Sequence, residues 1–270
     1  MRICLLLFPK FLPVTSYSIT FRIQAEMRFC IIIPSYNHND TLYEVLKSIE
    51  GVLPGGVAVI VVDDGSEPPV CLSNPSRILM RIAQNSGKAN AMRVGFKRAA
   101  EMGFTHAVTM DADGQHPASA LPGIVRAAID NPDSVIVGVR NFDLPQVPKI
   151  RRTFNKFSNF WFRHQTGIEM ADTQCGFRCY PLSVIDAVDV PFKGFVFEAE
   201  LLVKASWAGV PIVQFPIPTI YTEESVKKSH YKPLKDTMRF SVLNAKLTFM
   251  AAFFPKRLLR RISLKKAKKA

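Results

Sequence analysis

Largely apolar runs alternate with helical patterns in the first half of the chain, and this alternation limits the fold more than any other feature. The runs cover residues 29–33, 57–62, 78–82, 105–110 and 135–139. Apolar runs of about four to eight residues are typical of strands buried on both faces. Because strands that alternate with helices form doubly wound, mostly parallel sheets, we predict an α/β fold with its ligand site beyond the carboxyl ends of the strands.

The fourth run ends in two carboxylates, Asp111 and Asp113, followed by Gly114. Alternate residues of an extended chain point to the same face, so both carboxylates can converge on one ligand. Two ionised carboxylates at close range are costly unless a cation neutralises them, and Mg²⁺ or Mn²⁺ prefers such oxygen ligands and usually carries substrate phosphates. We therefore predict a metal site at Asp111 and Asp113. The alternative is a plain polar turn, since Asp and Gly favour turns.

Two other strand ends carry polar turns. The second strand closes with Asp63 and Asp64, of which at most one is well placed for a ligand, and Asp63 is the better candidate for a turn cap. After the third strand, Gly87 and Lys88 open a helix. Backbone amides at a helix start, together with a lysine, suit a phosphate, although the spacing is not that of a Walker A loop.

Basic and aromatic residues are interleaved between residues 141 and 167. The basic residues are Lys149, Arg151, Arg152, Lys156 and Arg163. The aromatic residues are Phe154, Phe157, Phe160, Trp161 and Phe162. Two interpretations stay open: an amphipathic helix whose aromatic side packs on the sheet, or such a helix whose cationic face also meets an anionic acceptor.

The segment from Asp172 to Arg178 and the acids Glu198 and Glu200 complete the polar candidates. Gly176 permits a tight backbone, and Arg178 offers a planar fork for a phosphate. Glu198 and Glu200 open a helix, where acids are also expected because they complement the helix dipole. If the acceptor is a hydroxyl, Asp172 or Glu198 is the candidate general base.

The ordered set of motifs resembles the family 2 glycosyltransferases, and most closely the dolichol-phosphate or polyprenyl-phosphate sugar transferase branch. The resemblance covers roughly residues 27 to 230. It rests on six stretches, namely residues 34–37, 62–66, 85–88, 111–115, 172–178 and 198–200. It implies a GT-A fold, a Rossmann-like mixed sheet that binds a nucleotide-sugar.

By this resemblance, nucleotide-sugar contacts fall on Pro34, Tyr36, Asp64, Lys88, Asp111 and Gln115. Asp111 and Asp113 would hold Mg²⁺ or Mn²⁺ on the diphosphate, and Arg178 would meet the acceptor or the diphosphate. Glu198 and Glu200 would border the acceptor side. His38 stands where the family usually has Glu, and Lys227 to His230 replaces a Gly-x-Ser-Lys segment, which leaves the nucleobase and the acceptor open.

Charge and length define the rest of the expected organisation. The chain has 270 residues and a formal net charge of +13, and residues 256–270 contain eight Lys and Arg residues and no acid. We predict an N-terminal extension outside the fold (1–26), a glycosyltransferase domain (27–230), and an amphipathic membrane-surface helix with a basic tail (231–270) that lies on an anionic bilayer. Five cysteines without regular spacing indicate reduced thiols in a cytosolic protein.

The predicted function is inverting transfer of a sugar from a nucleoside-diphosphate donor to a lipid-linked or polyprenyl-phosphate acceptor at the cytoplasmic face of the membrane. A hydroxyl acceptor in cell-envelope glycan or glycolipid synthesis is the alternative. A nucleic-acid-binding protein is the alternative of another class, but acid-rich strand ends would repel phosphate backbones. No G-x-G-x-x-G follows the first strand, which disfavours an NAD-dependent oxidoreductase.

Overall fold

The computed structural model describes residues 27–53, 57–145, 147–191, 196–220 and 233–265, with side chains of the last range from residue 238 onward. The predicted extension (1–26), the segment Lys227 to His230 and the end of the basic tail (266–270) lie outside the described residues. The four cysteines in the described ranges are free thiols.

Seven strands form one mixed sheet. They are β1 (Phe29–Ser35), β2 (Ala58–Asp63), β3 (Arg77–Arg81), β4 (His106–Thr109), β5 (Val135–Val139), β6 (Arg178–Pro181) and β7 (Ile212–Pro216). Their order is β3-β2-β1-β4-β6-β5-β7, and only β6 runs antiparallel to its neighbours. The predicted, mostly parallel α/β sheet is confirmed, and β3 and β7 lie at its two edges.

Eight α-helices of the described residues flank this sheet. They are α1 (Asn39–Val52), α2 (Lys88–Glu101), α3 (Leu121–Asp130), α4 (Lys149–Thr166), α5 (Leu182–Ala187), α6 (Phe197–Ala208), α7 (Pro233–Phe253) and α8 (Lys256–Ser263). Among the described residues, no helix combines the length and the apolar character needed to cross a bilayer.

The core has two layers, one on each face of the sheet. Residues Ile32 and Val62 pack with α2 and α6 on one face, whereas Ile31 and Val61 pack with α1 and α3 on the other. Successive residues of a strand point to opposite faces, so burial on both faces requires apolar side chains at every position. This arrangement explains why the strand sequences are continuous apolar runs.

The structure corrects the predicted path of the chain at the acidic motif. Strand β4 ends at Thr109, so Asp111 and Asp113 follow it in a loop and turn, in which Gly114 has a positive φ of 75°. The alternation rule of an extended strand therefore does not apply to the two carboxylates. Their relative placement comes from the turn instead.

Two helices present different faces from those predicted. The aromatic residues Phe154, Phe157 and Phe160 of α4 are exposed, so the aromatic side of this helix is not packed on the sheet. In α7, Leu243 and Leu247 are buried in the core, so this part of the apolar side of the helix packs on the protein, while the predicted contact of the helix with a bilayer stays a prediction.

Candidate active site

The polar candidates meet at one edge of the sheet. Strands β1, β2 and β4 run parallel and all end at this edge. Strand β5 ends there too, because β6 lies between β4 and β5 and runs antiparallel to both. For the same reason the first residue of β6, Arg178, lies at this edge. A strand inserted in the opposite direction thus adds residues from the 172–178 loop to the carboxyl ends of the parallel strands.

The loops after β1 and β2 are joined to each other. The Asn37 amide donates to Ser66 Oγ at 2.9 Å, and the Glu67 amide donates to Asn37 Oδ1 at 2.9 Å. Pro34 pairs in register with Val62, so Pro34 and Tyr36 lie beside the Asp63–Asp64 turn. The structure brings together the residues that were predicted to hold the nucleoside.

Asp63 is a turn cap, as predicted. Its buried carboxylate accepts hydrogen bonds from the amides of Ser66 at 2.8 Å and Val70 at 3.2 Å, and it pairs with Arg81. Burial alone would raise the pKa of Asp63, but these hydrogen bonds and the Arg81 charge lower it below its ordinary value. Both carboxylate oxygens of Asp63 are therefore used by contacts that stabilise the turn.

Asp64 connects this turn to the start of α2. Its carboxylate accepts from the Ser86 amide at 2.9 Å, the Ser86 hydroxyl at 2.6 Å and the Gly87 amide at 2.7 Å. Gly65 has a φ of 79°, and a Cβ there would lie 2.7 Å from the Asn85 nitrogen, so the close approach of the two loops requires glycine. Asp64 therefore fixes the loop that delivers Lys88, while its predicted contact with a nucleoside stays a prediction.

Lys88 lies between two carboxylates from distant parts of the chain. Its Nζ is 2.6 Å from Asp111 Oδ1 and 2.9 Å from Glu198 Oε2. Burial would lower the pKa of Lys88, but the two carboxylates raise it well above its ordinary value. Burial would likewise raise the pKa of Asp111, yet the Lys88 ammonium lowers it to about 2. Lys88 and Asp111 are therefore both charged at neutral pH.

Gly176 makes room for this ion pair. A Cβ at Gly176 would lie 2.9 Å from Asp111 Oδ2 and 3.2 Å from Lys88 Nζ. Any larger residue would push the carboxylate or the ammonium away. The glycine of the 172–178 loop is thus required by a close side-chain approach rather than by an unusual backbone angle.

Hydrogen bonds between its own residues stabilise the turn that contains Asp113. The Gln115 amide donates to Asp113 Oδ1 at 3.0 Å, which uses one of the two carboxylate oxygens. His116 Nδ1 accepts a hydrogen bond from the Asp111 amide at 3.0 Å, and this buried imidazole fixes the start of the turn. Burial lowers the pKa of His116, although Asp111 and Asp113 oppose this shift, so the ring is neutral and suited to accept at Nδ1.

The carboxylates fit a hard divalent cation. Asp113 is partly exposed and, unlike Asp111, forms no ion pair with a Lys or Arg side chain of the described residues. Within the described ranges, no three His, Cys, Asp or Glu side chains cluster as a complete metal site. Mg²⁺ commonly binds through one or two carboxylates plus substrate phosphates, so a partial set of protein ligands suits this ion.

Asp172 occupies a different position from that expected of a general base. It is fully buried and accepts from Arg140 Nε at 2.6 Å, Asn155 Nδ2 at 3.0 Å and the Gln174 amide at 3.0 Å. A carboxylate enclosed by donors from three residues cannot reach an acceptor hydroxyl. Its observed contacts instead anchor the 172–178 loop to α4 and to the end of β5.

Arg178 is also buried, with 1% of its surface exposed. Its guanidinium donates to the carbonyls of Cys175 at 2.7 Å, Thr173 at 2.9 Å and Glu198 at 2.9 Å. The predicted contact with acceptor or diphosphate therefore gives way to a structural one: Arg178 binds the 172–178 loop to the start of α6. This contact positions Glu198 beside Lys88.

The two glutamates at the start of α6 have separate partners. Glu200 is fully buried and pairs with Lys204 at 3.0 Å, so it faces away from the Lys88 pair. Glu198 contributes Oε2 to Lys88, whereas its Oε1 is buried without a hydrogen-bond partner among the described residues. A buried acceptor without a partner is costly, and such an oxygen is suited to bind a donor or a cation supplied from outside.

Two functional residues escaped the sequence analysis. Arg140 follows β5 directly and holds Asp172 through its side chain and its backbone amide. A charged residue at the end of a buried strand was an available signal for it, because ligands bind at that edge. His116 stands next to Gln115 in the acidic motif, but only the folded turn shows that its ring accepts the Asp111 amide.

Comparisons with known proteins show which family the chain belongs to. The profile of the family described as "Glycosyl transferase family 2" matches residues 30–188. The chain is 27% identical over 230 residues to polyprenol monophosphomannose synthase of Mycolicibacterium smegmatis, covering 80% of this chain and 86% of the relative. It is 26% identical over 210 residues to undecaprenyl-phosphate mannosyltransferase of Micrococcus luteus, covering 73% and 85%.

Solved structures support the fold. Glucosyl-3-phosphoglycerate synthase of Mycobacterium tuberculosis, in complex with Mg²⁺ and UDP, aligns with a TM-score of 0.61 at 15% identity, covering 90% of this chain and 85% of that one. The same enzyme in complex with Mn²⁺, UDP and glucosyl-3-phosphoglycerate aligns with a TM-score of 0.59. At this identity the likeness concerns the fold alone. Together with the match over 159 residues, it shows that the chain belongs to glycosyl transferase family 2 and is a glycosyltransferase of the GT-A fold.

Proposed function

We propose that this enzyme transfers a sugar, with inversion, from a nucleoside-diphosphate donor to the phosphate of a polyprenyl-type lipid at the cytoplasmic face of the membrane. The relatives named for polyprenol and undecaprenyl-phosphate chemistry support the lipid-phosphate acceptor. The structural neighbours crystallised with UDP and with Mn²⁺ or Mg²⁺ support the donor class and the cofactor.

The observation that carries this proposal is the position of Lys88 between Asp111 and Glu198 at the carboxyl edge of the sheet. Breaking a sugar–diphosphate bond leaves negative charge on the departing diphosphate. An ammonium at the start of α2 can stabilise that charge where it develops. We propose that Lys88 shifts from the carboxylates towards the diphosphate when the donor binds.

The remaining donor contacts follow from the same edge. Pro34, Tyr36 and Asp64 are proposed to hold the nucleoside, and Gln115 to contact the diphosphate. Asp111 and Asp113 are proposed to hold Mg²⁺ or Mn²⁺, and the partly exposed Asp113 carboxylate supports this assignment. A bound divalent ion would neutralise charge on the leaving diphosphate.

A lipid-phosphate acceptor suits the arrangement of the acids. Its attacking oxygen is already anionic, so the reaction needs no general base. In-line attack on the anomeric carbon then displaces the diphosphate from the opposite face and inverts the configuration. Asp172 is enclosed by Arg140, Asn155 and the Gln174 amide, so it would not serve as a base.

A hydroxyl acceptor, as in cell-envelope glycan or glycolipid synthesis, is the second candidate. The unpartnered Glu198 Oε1 favours it, because this oxygen can accept a proton from an acceptor hydroxyl. Glu198→Gln distinguishes the two candidates. This variant would lose transfer to a hydroxyl but would retain most transfer to a lipid phosphate.

The test is a donor screen that measures release of nucleoside diphosphate with a polyprenyl phosphate and either Mn²⁺, Mg²⁺ or a chelator. We expect metal-dependent release, and NMR of the product should show inverted anomeric configuration. A thermal-shift panel of donors with and without Mn²⁺ measures binding separately from turnover. Full activity in chelator, or a product of retained configuration, would contradict the proposal.

A further inference from the structure

Helix α4 buries a mostly polar face. The buried residues are Asn155, Ser158, Phe162 and Gln165. Asn155 donates to Asp172, Ser158 Oγ lies 2.8 Å from Thr173 Oγ1, and Gln165 donates to Asn244 Oδ1 at 3.0 Å. The body of the protein therefore holds this helix largely through hydrogen bonds.

The apolar side of α4 faces outward. Ile150 is 63% exposed and Phe160 is 52% exposed, and Phe154 and Phe157 are exposed as well. Residues 150, 154, 157 and 161 follow one side of the helix, since they are separated by four, three and four positions. Trp161 packs edge-on against Phe157 and Phe160, with ring centroids 5.9 and 5.4 Å apart. We call Ile150, Phe154, Phe157, Phe160 and Trp161 the aromatic stripe.

A row of cations runs beside the aromatic stripe. Lys149, Lys156 and Arg163 are seven residues apart, so they align along one side, and all three are exposed. Arg163 pairs with Glu169 outside the helix at 3.0 Å. The sequence of α4 contains five Lys and Arg residues and no Asp or Glu. Large apolar side chains and excess positive charge thus occur together on an outer surface.

The neighbouring helices repeat this combination. Helix α7 packs on α4 through Gln165 and exposes Met238, Val242, Phe249 and Phe253, of which Phe253 is 70% exposed. Helix α8 buries Leu259 and Ser263 and exposes its four basic residues. The exposed apolar residues of α7 are therefore on the side opposite the buried Leu243 and Leu247.

We infer that the aromatic stripe of α4 is a docking surface for an anionic lipid bilayer. Aromatic and aliphatic side chains enter the boundary between headgroups and acyl chains, while the long stems of Lys149 and Lys156 let their ammonium groups reach lipid phosphates. A second copy of this chain is a poor occupant, because a symmetric contact would bring two acid-free cationic helices together. The surface concerns membrane binding and does not depend on which sugar or acceptor the enzyme uses.

The experiment is flotation of the full chain with vesicles of phosphatidylcholine alone and with equal parts of phosphatidylcholine and phosphatidylglycerol. We expect retention on the anionic vesicles only. The double variant Phe154→Gln/Phe157→Gln should reduce the partition coefficient about tenfold or more. Lys156→Gln should reduce it about fivefold, and only on anionic vesicles.

Matched controls come from α1, which packs on the other face of the sheet. Tyr43→Gln removes a comparably exposed aromatic residue, and Lys47→Gln removes an exposed lysine, so both should float like the wild type. The donor thermal shift should be unchanged in every variant, which separates this inference from the proposed reaction. Undiminished flotation of the α4 double variant would overturn the inference, as would a wild type that does not float, including one that self-associates through the stripe.

Discussion

The active-site edge and the outer face of α4 use charge in opposite ways. At the edge, four acids contact a cation directly: Asp63 pairs with Arg81, Asp111 and Glu198 both pair with Lys88, and Asp172 pairs with Arg140. On α4, five cations share a helix that has no acid, next to exposed aromatic side chains. Helix α4 thus adds five positive charges to a chain with a net charge of +13, whereas each of these cations at the edge is paired with an acid.

The difference shows what each region is suited to bind. Partly buried ion pairs hold carboxylates ionised and in fixed positions, at a high cost if one partner is removed. Exposed cations contribute little to stability, because water and salt screen them, and so they remain available for an anionic surface. We expect substitutions at the edge to affect activity or folding, and substitutions of exposed residues on the outer face of α4 to affect neither.

Asp113→Ala should have the largest effect. Asp113 is the partly exposed carboxylate at the edge that has no Lys or Arg partner among the described residues, so the proposed metal is its main counter-ion. We expect a loss of about a thousandfold in kcat/KM, the size of effect seen when a group that stabilises developing charge is removed. The Mn²⁺-dependent thermal shift should also disappear.

Asp130→Ala is the control for this variant, since Asp130 lies at the end of α3 and pairs with Arg126 on the surface. Its kcat/KM should stay within about twofold of wild type, as for an ordinary surface substitution. If Asp113→Ala retained full activity and its Mn²⁺ response, the metal assignment would be wrong.

Lys88→Met should have the next largest effect. It leaves Asp111 and Glu198 close together without the ammonium between them. We expect the free energy of unfolding to fall by about 2 to 3 kcal/mol, somewhat less than for a fully buried pair, because Asp111 is 29% exposed. Urea denaturation measures the loss, and Lys88→Arg should recover part of it. Equal free energies of unfolding for the wild type and Lys88→Met would show that the ion pairs of Lys88 with Asp111 and Glu198 do not stabilise the fold.

Asp63→Asn tests an ion pair with no proposed ligand role. The folded protein lowers the pKa of Asp63 below its ordinary value of 3.8, so the ionised carboxylate stabilises the fold above about pH 4. This contribution is lost as the pH falls through the folded pKa. We expect Asp63→Asn to be less stable by about 1 to 2 kcal/mol at pH 7, with a difference that shrinks as the pH falls below about 4. Urea titrations at several pH values measure it, and a constant difference would contradict the assignment.

Phe157→Gln should have the smallest effect on folding. Phe157 is exposed, so its replacement should change the free energy of unfolding by no more than about 0.5 kcal/mol. Phe162→Gln, five residues further along the same helix, should destabilise by about 3 kcal/mol or more because Phe162 is buried. Thermal unfolding of the two variants side by side checks the assignment of faces. A large loss for Phe157→Gln would mean that the aromatic stripe belongs to the core.

Much of the sheet was predictable because its strands are buried on both faces. Burial at every position leaves a continuous apolar run, and the five predicted runs correspond to β1 to β5 within two residues at each end. Strand β6 was missed. Its sequence Arg-Cys-Tyr-Pro begins with a charged residue and ends in proline, and Arg178 is buried there only because backbone carbonyls of the 172–178 loop and α6 surround it.

The sequence by itself determined the family, the α/β class and which polar residues gather at the strand ends, because these depend on local order along the chain. Only the tertiary structure decided the role of each residue. Asp172 and Arg178 are enclosed because their partners Arg140 and Glu198 come from other elements. A helical pattern likewise shows that α4 has an aromatic side and a polar side, but not which of the two sides packs against the rest of the protein. Here the polar side forms hydrogen bonds with Asp172, Thr173 and Asn244, and the aromatic side is exposed.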